Sequence, residues 1–225
     1  MGQKVNPKGF RIGPVYGWSS RWYDDKKLFS AFLYQDVKLR QIIFLKLKAA
    51  GVCKVEIERS INKMKVIIHV SKPGIVIGRG GTGLEELKKL IEGFLSDMSK
   101  NHMVGGKKTF AQTGNIKVEL SVEPVKEPNL NAYLVATAIA DQIVRRMPHK
   151  RVCNQTLERV MSAGAKGVKI ALSGRIAGAE IARHEKYKAG SVPLSTIREK
   201  VDYEHVPALT KSGYVGVKVW ICLKN

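Results

Sequence analysis

No apolar run in this chain approaches the length needed to span a bilayer, and the opening Met1-Gly2-Gln3-Lys4 lacks the apolar core of a secretory signal. Neither a membrane partner nor export is expected. Asn6 stands where N-myristoylation requires Ser or Thr, which removes lipidation as well. Cysteine is scarce: Cys53, Cys153 and Cys222 are odd in number and far apart, so neither a disulfide framework nor a paired-Cys zinc site fits. Buried packing in a reducing compartment is their expected role. The histidines His69, His102, His149, His184 and His205 show no metal-ligand spacing. No nucleophile motif, no Gly-Lys-Ser/Thr phosphate loop and no acidic ribose anchor of a dinucleotide fold stands out. These absences point to a protein with no enzymatic activity, metal, cofactor or small-molecule substrate.

Acidic residues are also few. Against 39 Lys+Arg stand 19 Asp+Glu, for a net charge of +20. A free chain of that charge repels itself and attracts a polyanion, and with the membrane set aside that polyanion is nucleic acid. The rest of the composition, 44% hydrophobic and 26% charged over 225 residues, is that of a folded protein long enough for two compact domains.

Residues 1–23 read as a basic, extended arm. Lys4, Lys8, Arg11 and Arg21 are interleaved with glycine, proline, Trp18 and Trp22, so cations meet phosphate while an indole either stacks on a base or pins the arm to a domain. Leu39, Ile42, Ile43 and Leu47 then recur at helical spacing between Val37 and Ala50, and Gly51 supplies the stop. Cys53, Val55 and Ile57, and after a turn Met64, Val66, Ile68 and Val70, alternate with polar residues as two antiparallel strands. Thr82 followed by Glu85 is a capping-box signature for a helix whose apolar face carries Leu84, Leu87, Ile91, Phe94 and Leu95. A long polar loop is expected over residues 99–114, and then Ile116, Val118, Leu120 and Val122 as a strand.

Pro124 and Pro128 bracket a linker over residues 124–129. Beyond it, Asn129 is expected to cap a helix from Leu130 to Met147, Pro148 to break it, and a second helix to run from about Lys150 to Ala163. Strands are expected at Val168 to Leu172, Glu180 to Lys188 and Val215 to Ile221.

Gly78-Arg79-Gly80-Gly81 falls between the strand region and the helix opened by Thr82. A GxxG clamp needs a bare first glycine, a polar or basic middle and a last glycine that turns into a helix, whose N-terminus adds partial positive charge. Glycines also serve ordinary tight turns, so the tetrapeptide alone decides little. The surrounding order α-β-β-α-β is what a prokaryotic-type (type II) KH domain requires. The expected fold is therefore α+β: a KH domain over residues 24–123, then an α+β domain over residues 130–225, with two helices on a mostly antiparallel sheet. A second basic constellation, Arg145, Arg146, His149, Lys150 and Arg151, straddles Pro148 and is expected to meet RNA. Arg175, Arg183, His184, Lys186 and Lys188 continue the basic character on the strand side.

Beyond single motifs, the chain resembles the family of the third protein of the small ribosomal subunit, of bacterial and organellar type. The resemblance rests on Gly2-Gln3-Lys4-Val5-Asn6-Pro7, Pro73-Gly74-Ile75-Val76-Ile77-Gly78, Gly164-Ala165-Lys166-Gly167, Ser173-Gly174-Arg175, Gly178-Ala179-Glu180-Ile181-Ala182-Arg183, Val192-Pro193-Leu194 and Gly216-Val217-Lys218-Val219-Trp220-Ile221. It implies a cytoplasmic or organellar place on the head of the small subunit, contact with ribosomal RNA, a share in the channel that admits messenger RNA, and proteins two, four, five, ten and fourteen as neighbours. It also implies that a basic helix of the second domain faces incoming messenger and helps to unwind it. Lys150 and Arg151 match two positions of that helix, while Asn154 stands where a third lysine is usual. The loop over residues 99–114 is longer than is usual in the family, and the chain ends at Asn225 without the tail many members carry. The rival readings are a free KH regulatory protein and a nucleic-acid lyase or nuclease.

Overall fold

A computed structural model describes residues 3–24, 26–60, 63–101, 103–104, 107–108 and 117–224. The chain folds as two units, one made of Ser19–Lys126 and the other of the described residues up to Trp18 together with those from Glu127 onward. The opening segment is therefore no separate arm. Residues 3–18 belong with the C-terminal unit, and Ser20 and Arg21 join the sheet of the KH unit.

Asn6 accepts from the backbone N–H groups of Lys8 and Gly9 and opens a single helical turn, α1 (Pro7–Phe10), with Pro7 at its first position. Arg11 follows and is wholly buried. Its Nε donates to the Glu199 carbonyl at 2.7 Å, Nη1 to Pro7 at 3.1 Å, and Nη2 to Pro193, Leu194 and Thr196 at 2.8 to 3.2 Å. Lys8 lies 3.0 Å from Asp202 and 2.9 Å from Glu204. Two of the arm's cations that were expected to meet phosphate, as ribosomal RNA contacts, thus serve the unit's own structure: Arg11 has no surface to offer, and Lys8 is half-engaged by carboxylates.

The KH unit begins with β1 (Ser20–Arg21) and α2 (Lys26–Lys46), followed by β2 (Val52–Arg59) and β3 (Lys63–Val70). α2 starts well before Val37. Its buried face continues back through Asp36, Gln35, Phe32 and Ala31, and the polar pair interrupts the apolar rhythm that marks a helix in sequence. Arg59 makes that burial tolerable, donating to Asp36 Oδ1 at 2.6 and 2.9 Å and to Gln35 Oε1 at 3.1 Å, while Trp22 Nε1 and Ser20 Oγ reach Asp36 Oδ2. Next come α3 (Pro73–Ile77), α4 (Thr82–Asn101), the short antiparallel pair β4 (Met103–Val104) and β5 (Lys107–Lys108), and β6 (Lys117–Pro124). The rest of the expected 99–114 loop lies outside the described residues. Thr82 has helical torsions and its hydroxyl donates to the Arg79 carbonyl at 3.0 Å, so it sits inside the helix and does not cap it. Sheet order is β1-β2-β3-β6; β2 and β3 are antiparallel, and β6 runs parallel to β3 because α3 and α4 carry the chain back across the sheet. Leu39, Ile43, Ile57, Ile68, Val76 and Ile91 fill the core.

In the C-terminal unit, Asn131 and not Asn129 caps α5 (Ala132–Val144), accepting from Tyr133 and Leu134 N–H. Then follow α6 (His149–Ser162), β7 (Gly167–Gly174), β8 (Arg183–Gly190), β9 (Val201–Thr210) and β10 (Gly213–Cys222), in a fully antiparallel sheet of order β8-β7-β10-β9. β9 was not expected: Asp202, Glu204 and Pro207 disguise it, and it lies at the sheet edge, where proline is tolerated. Val168, Ile170, Leu172, Val217, Val219 and Ile221 pack on Val135 and Ile139 of α5 and on Val152, Cys153 and Val160 of α6. Burial, with Glu185 nearby, pushes the Cys153 thiol up to about 12. At pH 8, iodoacetamide is therefore expected to label the half-buried Cys53 and leave Cys153 unmodified, as read by peptide mass spectrometry.

Candidate nucleic-acid interface

Buried Val76 fixes α3 to the KH core while Ile75 and Ile77 stay exposed. The chain leaves α3 at Gly78 (φ 70°), passes a tight turn with Gly80 at φ 62° and Gly81 at φ 86°, and enters the 20 residues of α4. The glycines divide the work. A Cβ on Gly83 would stand 2.5 Å from the Val76 carbonyl and one on Gly78 would stand 3.0 Å from Gly83 N, so these two let the helices approach. A Cβ on Gly80 or Gly81 would meet nothing, so those two leave open backbone on the outside. Gly78, Arg79, Gly80 and Gly81 thus form one exposed turn, with Arg79 beside the positive end of α4 and no ion pair on it among the described residues. That combination suits an approaching phosphate. Gly83, one residue into a strongly patterned helix, thus serves the packing of α4 on α3 and not the outside of the turn.

The constellation around Pro148 is spread over the end of α5 and the start of α6. Arg145 and Arg146 end α5, where cations favour the helix dipole. His149 is turned toward β8, with Nε2 3.0 Å from Glu185 Oε2 but in no aligned hydrogen bond. Glu185 is held below the usual carboxylate range by the Tyr187 hydroxyl at 2.7 Å, which outweighs its partial burial, with His149 and Lys150 adding to the effect. Lys150 and Arg151 are exposed in the first turn of α6, and Asn154 lies exposed one turn on. Cations there oppose the helix dipole by a few tenths of a kcal/mol, so helix stability does not explain them.

A further basic surface comes from strand register. Lys188, Lys169, Trp220 and Tyr203 lie side by side across β8, β7, β10 and β9, and Lys186, Ala171, Lys218 and His205 form the adjoining row. Lys169 Nζ is 5.1 Å from the centre of the Trp220 ring. Burial first, then Lys4, Lys186 and Lys188, push the Lys169 ammonium below its ordinary value. Lys169, Lys218 and His205 were missed, although each occupies a polar position between core residues at period two. Arg183 has the parity of Glu185 and Tyr187, not of Lys186 and Lys188, so it faces the other way. Arg175 is exposed after β7, its Nε donating to the Ala179 carbonyl at 2.8 Å. Arg21 lies in the KH unit against Glu56 at 3.2 Å and Glu58 at 3.0 Å.

Residues 38–130 match the KH domain family, and residues 139–221 match the family described as ribosomal protein S3, C-terminal domain. The small ribosomal subunit protein uS3 of Pelotomaculum thermopropionicum is 46% identical over 221 residues, covering 98% of this chain and 87% of that protein. That of Desulforamulus reducens is 47% identical over 221 residues, covering 98% and 91%. The chain belongs to the uS3 family. As a uS3 protein it is a structural, non-enzymatic ribosomal component of α+β fold, a KH domain followed by the S3 C-terminal domain. The KH-domain match takes in the GxxG turn, and the S3 C-terminal-domain match takes in the whole of α6.

Proposed function

We propose that this uS3 protein binds small-subunit ribosomal RNA in the head of the subunit in the cytoplasm, and lines the channel through which messenger RNA enters. The KH turn at residues 78–81, Lys4 and the two adjoining rows with Lys169, Lys186, Lys188 and Lys218 hold ribosomal RNA, with Arg175 adding charge after β7 and Arg183 on the opposite face of the sheet. Lys150 and Arg151 meet messenger and help to separate its paired strands. The observation that carries this reading is their exposed place in the first turn of α6, against the helix dipole, where an external anion would offset their charge. Asn154, neutral, makes the unwinding weaker than three cations would. Proteins two, four, five, ten and fourteen are the proposed neighbours; Phe29, Leu33, Val37 and Leu45, exposed at intervals along one face of α2, offer such a neighbour an apolar surface.

The test is translation by small subunits carrying Lys150→Ala with Arg151→Ala. A stable hairpin in the messenger is expected to slow these ribosomes several-fold more than an unstructured message does. Equal slowing on both templates overturns the channel assignment. Stoichiometric recovery of the chain with small subunits after a moderate salt wash is expected as well, whereas a free KH regulator would stay in the soluble fraction.

A further inference from the structure

Arg146, Arg175 and Lys211 come from three separate stretches of sequence and meet around one cavity of about 450 Å³ within the C-terminal unit. All three are exposed, and none has an ion-pair partner among the described residues. No carboxylate lines the cavity, while Ile176 and Val215, both buried, and the half-exposed Met147 give it apolar walls. The bond from Arg175 Nε to the Ala179 carbonyl fixes that guanidinium in place.

Backbone conformation marks the same spot. Among the described residues, the non-glycine residues with positive φ are Arg146 at 62° and Ala177 at 56°, and both line this cavity. Arg146 ends α5 in the position where glycine is usual: its N–H reaches the Ile143 carbonyl at 2.9 Å, and that of Met147 reaches Gln142 at 3.1 Å. A left-handed conformation for an arginine is a cost that glycine would avoid, so the side chain is kept for something other than the turn.

We propose that this cavity receives one unstacked nucleotide of an RNA strand, its base against Met147 and Ile176 and its phosphate between Arg146, Arg175 and Lys211. The volume suits a single nucleotide, splayed bases are what proteins read in single-stranded RNA, and guanidinium groups match phosphate oxygens in pairs. The proposal rests on the RNA-binding reading above and adds a defined site to it.

Ultraviolet crosslinking of purified small subunits, followed by peptide mass spectrometry, tests it. A nucleotide adduct is expected on the peptides holding Met147 or Ile176. It should fall at least tenfold with Arg146→Gly plus Lys211→Ala, while an adduct on the residue 78–81 turn is unchanged. Arg146→Gly relieves the backbone, so the variant should melt no lower than the wild type, and loss of the adduct then reports binding and not folding. Adducts at the turn but none at the cavity overturn this proposal and leave the general function standing. Adducts nowhere overturn both. A crosslink from Lys211 to an acidic segment of a neighbouring protein overturns it too, because the occupant is then a protein.

Discussion

Arg11→Ala is expected to destabilise the C-terminal unit by about 4 kcal/mol, the scale of removing one partner from a buried charged network. The guanidinium donates to five main-chain carbonyls, those of Pro7, Pro193, Leu194, Thr196 and Glu199, and is itself wholly buried. Alanine leaves those oxygens without a donor and opens a cavity where water finds little room, and each unsatisfied buried acceptor costs roughly 1–3 kcal/mol. Arg11→Lys should recover only part of the loss, since an ammonium has three donors on a single atom and does not span the fork. Urea titration of the purified chain measures both. Lys4→Ala, exposed on the same segment, should leave the midpoint unchanged and weaken RNA binding instead. A loss below about 1 kcal/mol for Arg11→Ala would mean that solvent replaces the guanidinium, contrary to its burial.

That contrast shows which parts of the molecule were legible in the sequence. Period-two alternation found β2, β3, β7 and β10, because alternate residues of each, such as Val55 and Ile57, Val66 and Ile68, Val168 and Ile170, and Val217 and Val219, enter a core. The GxxG turn was legible because its glycines fall between a strand region and a helical pattern, in the element order that a KH domain requires. Charge alone, in contrast, does not say which way a cation points. Arg11 and Lys4 look alike along the chain, yet one closes a ring of carbonyls and the other faces solvent, and only the folding of residues 193–199 around α1 decides it. The same limit hid Asp36 and Gln35, whose buried partner Arg59 lies 23 and 24 residues away. The lysine row across β7, β8 and β10 depends on a register that no single strand reveals, and the cavity brings Arg146 together with residues 29 and 65 positions further on.

Gly80→Asp with Gly81→Asp should weaken RNA binding by the isolated chain at least tenfold, about 1.4 kcal/mol, with no comparable loss of stability. The choice of positions carries the argument. At Gly78 or Gly83 an added Cβ meets backbone at 3.0 or 2.5 Å, so a binding defect there is confounded with a shift of α3 against α4. At Gly80 and Gly81 the space is open, and although φ is 62° and 86°, aspartate is among the residues that best tolerate that region. Two carboxylates there would confront phosphate at the positive end of α4 and neutralise Arg79, so electrostatics and access both turn unfavourable. Titration of a fluorescent single-stranded RNA at several salt concentrations separates the effects. If the turn grips backbone, the slope of log affinity against log salt becomes shallower in the variant, because fewer counterions are released. Unchanged affinity and slope would assign the turn a purely structural role, and the sheet face with Lys169, Lys186, Lys188 and Lys218 would then be the surface that holds the RNA.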